Sequence, residues 1–180
     1  LGEWEFYGLK LRVTPDVLIP RPEPELLVEA AQAWLAAHPQ RRLAADIGTG
    51  SGCIAVALAM NVPDLHMVAG DVSEAALDVA RRNVERYWLR ERIHLVLSDL
   101  MEGIPGPFSL ITANLPYIPN ERLPDLAVSK YEPMIALGGG EDGLRLIETL
   151  MEQAAQKRTA GGLLLAEIDA SLEAAVAALA

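Results

Sequence analysis

Several features that define other classes of protein are missing from this sequence. Cys53 is its single cysteine, which excludes an internal disulfide and a zinc cluster built on several thiolates. The three histidines stand far apart and lack the spacing of metal ligands. No apolar run reaches the ~18 residues that span a bilayer, and the opening residues do not resemble a secretory signal. We therefore expect a cytoplasmic protein without a metal ion or a membrane partner.

Positive charge is scarce as well. The sequence has 15 Lys and Arg residues against 25 Asp and Glu residues, which gives a net charge of −10 and a pI of about 4.7. A protein that grips a nucleic-acid backbone usually carries a basic face. The densest basic clusters, Arg81 with Arg82 and residues 86–92, adjoin glutamates and are typical of a solvated helix face. The charge therefore disfavours a nucleic-acid partner.

Apolar runs alternate with helical segments and predict an α/β fold. We expect a Rossmann-like, doubly wound and mostly parallel sheet. A β-hairpin around Gly8 should precede it, so we divide the chain into a hairpin with a proline-rich lead-in over residues 1–20 and one domain over residues 21–180. Gly161 and Gly162 are expected to end the helix before the last strand. The predicted sheet strands cover residues 41–47, 65–69, 93–97, 108–113 and 163–168.

A glycine turn joins the first of these strands to a helix and indicates a nucleotide-like ligand. Glycines let the backbone approach a ligand, and the helix N-terminus offers free N–H groups. The preceding Asp46 would repel a pyrophosphate but suits a sulfonium centre, which favours S-adenosylmethionine over a dinucleotide. Cys53, at the start of the helix, is either a thiol of lowered pKa or, as we prefer, a small buried residue. The turn comprises Gly48, Thr49, Gly50, Ser51 and Gly52.

Acidic residues also follow the next two predicted strands. Asp71 at the tip of the second strand could accept both hydroxyls of a ribose. Its alternative role as a helix cap can be taken by Ser73. Asp99 could meet the amino group of adenine, and Leu100 could pack on the ring. Carboxylates at three successive strand ends are a stronger signal for one ligand than any of them alone.

The fourth strand leads into the candidate catalytic residues Asn114, Leu115, Pro116 and Tyr117, of which Asn114 should also contact the cofactor. An amide oxygen, a backbone carbonyl and a ring at a strand end could hold a planar, nitrogen-bearing group. The alternative is an ordinary turn with an asparagine start and a proline. Upstream, three prolines within residues 20–24 should keep the chain extended and rigid, as a wall of the site and not a linker. We expect Arg21, Pro22 and Glu23 in this wall to contact the substrate, together with Asn114 and Tyr117.

The sequence resembles the protein glutamine methyltransferases that modify peptide chain release factors. The resemblance extends from about residue 6 to residue 168 and includes the glycine turn, which many class I methyltransferases share. Its more specific parts are Pro20-Arg21-Pro22-Glu23, Glu132-Pro133, and Asp142-Gly143-Leu144 after Gly139. The resemblance implies methyl transfer from S-adenosylmethionine to a glutamine side-chain amide of a release factor. It also implies that Asn114 and the Leu115 carbonyl accept the two N–H bonds of that amide, with Tyr117 against its plane.

Two departures from the family leave alternatives open. The family tetrapeptide usually has proline where Leu115 stands, which should slow the reaction without abolishing it. Asn-Leu-Pro-Tyr is also similar to the tetrapeptide of ribosomal RNA adenine dimethyltransferases, so methylation of an adenine amino group in RNA or DNA is the alternative. The family also usually has a helical N-terminal domain and two further strands. We expect this chain to be a fragment or a shortened version, and an inactive cofactor-binding module is the third interpretation.

Overall fold

Strands and helices alternate along the chain, as the apolar pattern predicts. The structure is a computed structural model that describes residues 2–119, 121, 133–141 and 143–179. The strands are β1 (Glu3–Phe6), β2 (Leu9–Arg12), β3 (Leu43–Ile47), β4 (His66–Asp71), β5 (Ile93–Leu97), β6 (Phe108–Asn114) and β7 (Arg158–Glu167). The helices are α1 (Glu23–Ala37), α2 (Cys53–Asn61), α3 (Glu74–Arg86), α4 (Arg145–Lys157) and α5 (Glu173–Leu179).

Five strands form one parallel sheet in the order β5-β4-β3-β6-β7. The chain begins in the middle with β3, moves outward to β5, and then returns to the other side of β3 with β6. Ligands in open α/β sheets bind at such a reversal, outside the carboxyl ends of the strands. The predicted doubly wound fold is therefore confirmed, and the ends of β3 and β6 mark the expected site. As expected, β7 lies at an edge of the sheet.

Helices cover both faces of the sheet. On one face, α1 and α2 pack on the strands through buried side chains that include Val28, Leu35 and Leu58. On the other face, α4 packs through Ile147 and Leu150. In a doubly wound sheet, helices on the two faces leave the turns at the carboxyl ends of the strands available to a ligand. Among the described residues, no helix is both long and apolar enough to cross a bilayer.

The predicted hairpin is confirmed as β1 and β2, and a buried asparagine attaches it to the domain. Asn83 on α3 accepts the N–H of Arg12 at 2.7 Å and donates to the Arg12 carbonyl at 3.0 Å. It also donates to the carbonyl of Ser51 in the glycine turn at 2.8 Å. Because all three bonds involve backbone atoms, this amide fixes the hairpin, α3 and the glycine turn relative to each other.

The prediction that Gly161 and Gly162 end a helix is wrong. Both glycines lie inside β7, which begins directly after α4 at Arg158. The pairing of β6 with β7 is irregular between Phe108 and Leu110, where the register shifts. A Cβ atom on Gly162 would lie 2.7 Å from the Ser109 carbonyl oxygen, and Gly161 has a φ of +67°. The glycines therefore allow a bulge in a strand, a role that sequence alone does not separate from a helix stop.

Candidate active site

A cleft of about 330 Å³ opens at the carboxyl ends of β3, β4 and β6. Its volume is typical of a small-molecule site. The proline-rich lead-in forms one wall with Leu18, Pro20 and Arg21. The predicted cofactor residues that line the cleft are Gly48, Thr49, Gly50, Ser51, Asp71, Asp99, Leu100 and Asn114. The predicted residues Asp46 and Gly52 are not part of its lining.

The glycine turn is fixed by backbone hydrogen bonds to the neighbouring strand. The N–H groups of Gly48 and Thr49 both donate to the carbonyl of Gly70, at 2.9 and 3.0 Å. Gly48 has a φ of +70°, and a Cβ atom there would lie 2.8 Å from Cδ2 of Leu115. Only glycine fits this position without strain, because φ is positive and because a Cβ atom would be too close to Leu115. Leu115, where the family usually has proline, thus packs beneath the glycine turn.

Each carboxylate oxygen of Asp71 accepts a hydrogen bond from a different backbone N–H group. Its Oδ2 accepts the N–H of Gly50 at 2.8 Å, and its Oδ1 accepts the N–H of Ser73 at 2.9 Å. Ser73 caps α3, since its hydroxyl accepts the N–H of Ala76. An ionised carboxylate offers about four acceptor sites, so two remain for hydroxyl groups of a ligand. The predicted ribose contact stays a prediction, with room for it in the structure.

Asp46 lies behind the turn and not on the cleft wall. Its side chain is 1% exposed, and its two oxygens accept the hydroxyls of Thr49 at 2.6 Å and Thr112 at 2.8 Å. Burial raises the pKa of Asp46 to about 6, although both hydroxyls oppose the shift. The negative charge beneath the turn therefore depends on pH. The interpretation that Asp46 suits a ligand with a sulfonium centre stays a prediction.

Replacing Asp46 with Asn is expected to change how stability depends on pH. The pKa is raised from 3.8 to about 6 on folding. Between about pH 4 and 6 the folded state binds more protons than the unfolded chain, so the free energy of unfolding falls as pH rises. The shift corresponds to roughly 3 kcal/mol. D46N should remove this fall, so its stability relative to wild type should rise from pH 4 to pH 7.

Urea denaturation of wild type and D46N at pH 4, 5, 6 and 7 measures this difference. Asp78→Asn is the matched control, because Asp78 is exposed on α3 and its removal should leave the pH dependence of wild type in place. A stability difference between D46N and wild type that stays constant over these four pH values would contradict the prediction.

The tetrapeptide after β6 lies between this cleft and a smaller pocket of about 130 Å³. Asn114, Leu115 and Pro116 line both cavities, and Tyr117 lines only the smaller one. We call the smaller cavity the acceptor pocket, because in the predicted reaction it would hold the group that accepts the methyl group. It lies below the ~300 Å³ of small-molecule sites, so it suits a single side chain. Its complete lining is Leu18, Arg21, Asn114, Leu115, Pro116, Tyr117, Ile118, Ala136, Leu137 and Glu167.

Glycines near residue 140 let a second segment pack directly on the tetrapeptide. A Cβ atom on Gly139 would lie 2.8 Å from the Pro116 carbonyl oxygen, and one on Gly143 would lie 2.2 Å from the Tyr117 carbonyl oxygen. The Ile118 carbonyl also accepts the N–H of Gly139 at 2.8 Å. These glycines of the family motif therefore have a structural role beside the site. Two further residues of the motif, Glu132 and Asp142, lie outside the described residues.

The proline-rich segment contributes to both cavities through one of its three predicted substrate residues. Arg21 lines the cleft and the acceptor pocket, whereas Pro22 and Glu23 line neither. Glu23 begins α1, and its charge still influences the pocket electrostatically. Tyr117 has a raised pKa because of burial and of nearby carboxylates, so its hydroxyl stays protonated at neutral pH.

Sequence reasoning missed Glu167, which ends β7 and lines the acceptor pocket. The predicted fifth strand extends to residue 168, whereas β7 ends at Glu167. The rule that polar residues at strand ends mark the site therefore does not identify Glu167 from the sequence. The thiol of Cys53 lines the cleft, but burial raises its pKa to about 12. The alternative of a lowered thiol pKa is therefore wrong, and the thiol does not ionise at neutral pH.

Solved structures of known proteins share this architecture. A methyltransferase from Pyrococcus furiosus has a TM-score of 0.66 at 23% identity, covering 96% of this chain and 76% of that chain. Ribosomal protein L11 methylase from Lactobacillus delbrueckii subsp. bulgaricus has a TM-score of 0.62 at 20% identity, covering 86% and 63%. The N-terminal domain of human METTL16 in complex with SAH has a TM-score of 0.55 at 21% identity, covering 83% and 56%. The fold is that of the class I methyltransferases.

The sequence places the chain more narrowly. The family model of the methyltransferase small domain matches residues 25–130, more than half of the chain, and the chain belongs to this family. Release factor glutamine methyltransferase of Gloeobacter violaceus is 42% identical over 171 residues, covering 93% of this chain and 59% of the relative. Ribosomal protein uL3 glutamine methyltransferase of Neisseria meningitidis is 41% identical, covering 93% and 54%. The predicted resemblance to glutamine methyltransferases is confirmed.

The chain spans about three fifths of the length of the first curated relatives that it matches. A second release factor glutamine methyltransferase, from Bradyrhizobium diazoefficiens, is 40% identical over 172 residues and is covered to 58%. The matched region includes the glycine turn, the strand ends and both cavities, since it covers 93% of this chain.

Proposed function

We propose that this chain transfers a methyl group from S-adenosylmethionine to the side-chain amide nitrogen of a glutamine in a peptide chain release factor. The observation that carries the proposal is the pair of cavities that meet at Asn114. The larger one suits a nucleoside-sized ligand and the smaller one a single side chain. A reacting nitrogen in the acceptor pocket would face the cleft across Asn114 and the Leu115 carbonyl.

The residues of the cleft fit S-adenosylmethionine. Asp71 keeps free acceptor sites, and the turn brings backbone groups to the cleft wall. Ser51 lines the cleft, and its buried hydroxyl has no hydrogen-bond partner among the described residues. Such an atom is usually satisfied by a ligand or water. When bound, the cofactor supplies a methyl group on a positively charged sulfur.

The chain's own contribution would be to orient a weak nucleophile. The lone pair of an amide nitrogen is delocalised into its carbonyl group, so the nitrogen attacks only when it is well placed. Asn114 Oδ1 and the Leu115 carbonyl would each accept one N–H bond and stabilise the positive charge that develops on nitrogen. Positioning contributes several kcal/mol, up to ~7–11 in favourable cases. The half-buried ring of Tyr117 would lie against the amide plane.

A ribosomal protein is the second candidate substrate. One relative is named ribosomal protein uL3 glutamine methyltransferase. Its sequence is 41% identical to this chain, close to the 42% of a release factor glutamine methyltransferase. Both substrates present the same amide to the acceptor pocket, so they would differ at docking surfaces outside it. Methylation of an adenine amino group, the alternative, is supported only by the sequence of the tetrapeptide.

Methyl transfer from labelled S-adenosylmethionine separates these functions. The chain is incubated with a release factor, with ribosomal protein uL3 and with ribosomal RNA, and the modified residue is located by mass spectrometry. We expect label on a glutamine of the release factor. Label on uL3 alone would move the proposal to the second candidate, and label on RNA would overturn it. Binding of the cofactor without transfer to any of the three would favour the inactive module.

A further inference from the structure

Glu167 ends β7 and has no role in the mechanism above. It is the direct register partner of Asn114, the last residue of β6. Side chains of paired residues in a parallel sheet project from the same face, and neighbouring strands lie about 4.8 Å apart. Glu167 and Asn114 also line the same acceptor pocket. The side chains of Glu167 and Asn114 therefore meet in the pocket that would hold the amide.

One oxygen of this carboxyl group lacks a partner. Oε2 of Glu167 is buried and makes no hydrogen bond in the part of the chain that the structure describes. A buried polar atom without a partner costs about 1–3 kcal/mol, so a protein keeps one where a ligand will satisfy it. An N–H group of a substrate in the acceptor pocket, shared between the Asn114 amide oxygen and Glu167, would be such a partner.

The surroundings of Glu167 give it the basicity of a useful proton acceptor. Burial and, to a smaller extent, the charge of Glu23 raise the pKa of Glu167 to about 7. Among the described residues, the other charged or titratable groups around the pocket are Tyr117, Asp169 and Arg21. A group with a pKa near the working pH accepts a proton from substrate and returns it to water.

Methyl transfer to an amide releases a proton, and a base lowers the barrier if it takes that proton while the bond to the methyl carbon forms. As the nitrogen forms its bond to the methyl carbon, the carbon–sulfur bond breaks and its electron pair stays on sulfur. Without proton transfer in the same step, the nitrogen would then carry the methyl group, two hydrogens and a positive charge. One N–H bond must break, with its electron pair left on nitrogen. The oxygens of an amide or a peptide carbonyl are too weakly basic to keep that proton.

We propose that Glu167 accepts this proton, at Oε2, directly or across one water molecule. The role rests on the proposed function, since it requires an amide in the acceptor pocket. Asn114 and the Leu115 carbonyl would orient the nitrogen, and Glu167 would take the proton as the methyl group moves, so that the base acts in the step whose rate is measured. The carboxyl group then releases the proton to solvent before the next turnover.

Glu167→Gln tests the role, because it keeps the shape of the side chain and removes the base. Single-turnover methylation of the release factor is measured from pH 5.5 to 8.5 with wild type, E167Q and E23Q. Glu173→Gln, which removes an exposed carboxylate on α5, is the matched control. At pH 8, E167Q should be about 10²-fold slower than wild type, the usual contribution of a general base. The wild-type rate should rise with pH around 7, and this rise should be absent in E167Q.

E23Q separates a titrating base from a merely structural residue. Removal of the Glu23 charge should move the rise in rate to lower pH while the plateau is kept. In the protein without cofactor, ¹³C NMR of glutamate carboxyl groups should show one group titrating near pH 7. That signal should be absent in E167Q and shifted to lower pH in E23Q.

Each outcome decides between the proposals. Wild-type protein that methylates no glutamine would overturn the proposed function and this role with it. An active wild type with equal rates and the same pH profile in E167Q would overturn the role of Glu167 alone. So would an E167Q variant in which only the KM for the release factor rises, since that result assigns Glu167 to positioning. A Glu167 signal that titrates below pH 5 would also exclude the role.

Discussion

Replacing Asn114 with Ala is expected to lower the rate of methyl transfer by about 10²–10³-fold, the usual cost of removing one preorganised group that stabilises developing charge. Asn114 lines both cavities at the end of β6, where its amide oxygen would accept one N–H of the target amide. Its loss leaves the nitrogen free to rotate away from the methyl carbon. The affinity for S-adenosylmethionine should change little, because Asp71 and the glycine turn stay in place.

Single-turnover kinetics and calorimetry on the same preparation check both halves of this expectation. Asn61→Ala is the matched control, because Asn61 ends α2 and donates to the Ala57 carbonyl, outside both cavities. Wild-type turnover in N114A on the release factor would show that Asn114 does not orient the substrate. A large loss of cofactor affinity with an unchanged rate at saturation would assign Asn114 to the cofactor alone.

Replacing Asp71 with Ala should have the opposite signature, a loss of cofactor affinity of about 10- to 100-fold, since a hydrogen bond to a charged group contributes about 1.5–3 kcal/mol. Two effects add in this variant. The ribose would lose its acceptor, and the N–H of Gly50 would lose the bond that holds the turn to β4. The rate at saturating cofactor should fall much less than in N114A.

Isothermal titration of S-adenosylmethionine and of its demethylated product measures the affinity of D71A. Asp78→Asn is again the control, because it removes an equal charge from the exposed face of α3 and leaves the cleft intact. Unchanged affinity in D71A would reject the ribose contact. Equal losses in D71A and D78N would indicate a long-range charge effect in place of a hydrogen bond.

Local sequence patterns were sufficient to predict most of the fold. Each strand of the sheet is a short apolar run, and each of these runs ends near a glycine or a polar residue that sequence alone displays. Ser73 caps α3 as predicted, because a cap depends only on the residues beside it. Gly161 and Gly162 were misinterpreted because the same two residues can stop a helix or permit a bulge. Which one occurs is decided by the partner strand at Ser109.

The features of the candidate site also fall into two groups, those that the sequence predicts and those that depend on tertiary contacts. Asp71, Asp99 and Asn114 were found because parallel strands bring their carboxyl ends to one edge, so the order of strands and turns is sufficient. The burial of Asp46 could not be found, since it depends on Thr112 from a strand 66 residues away. The separation of the cleft from the acceptor pocket could not be predicted either, because it depends on how the segment at Gly139 packs on the tetrapeptide.

The sequence by itself determined the doubly wound sheet, the glycine turn and the residues at the strand ends, because these follow from periodicity and from the conformational limits of glycine and proline. Tertiary structure alone decided which of those residues lie on the cleft wall and which lie behind it. It also placed Glu167 beside Asn114, since the register of two strands 53 residues apart is set by packing across the whole sheet. Charge and burial at the site are therefore properties of the assembled fold.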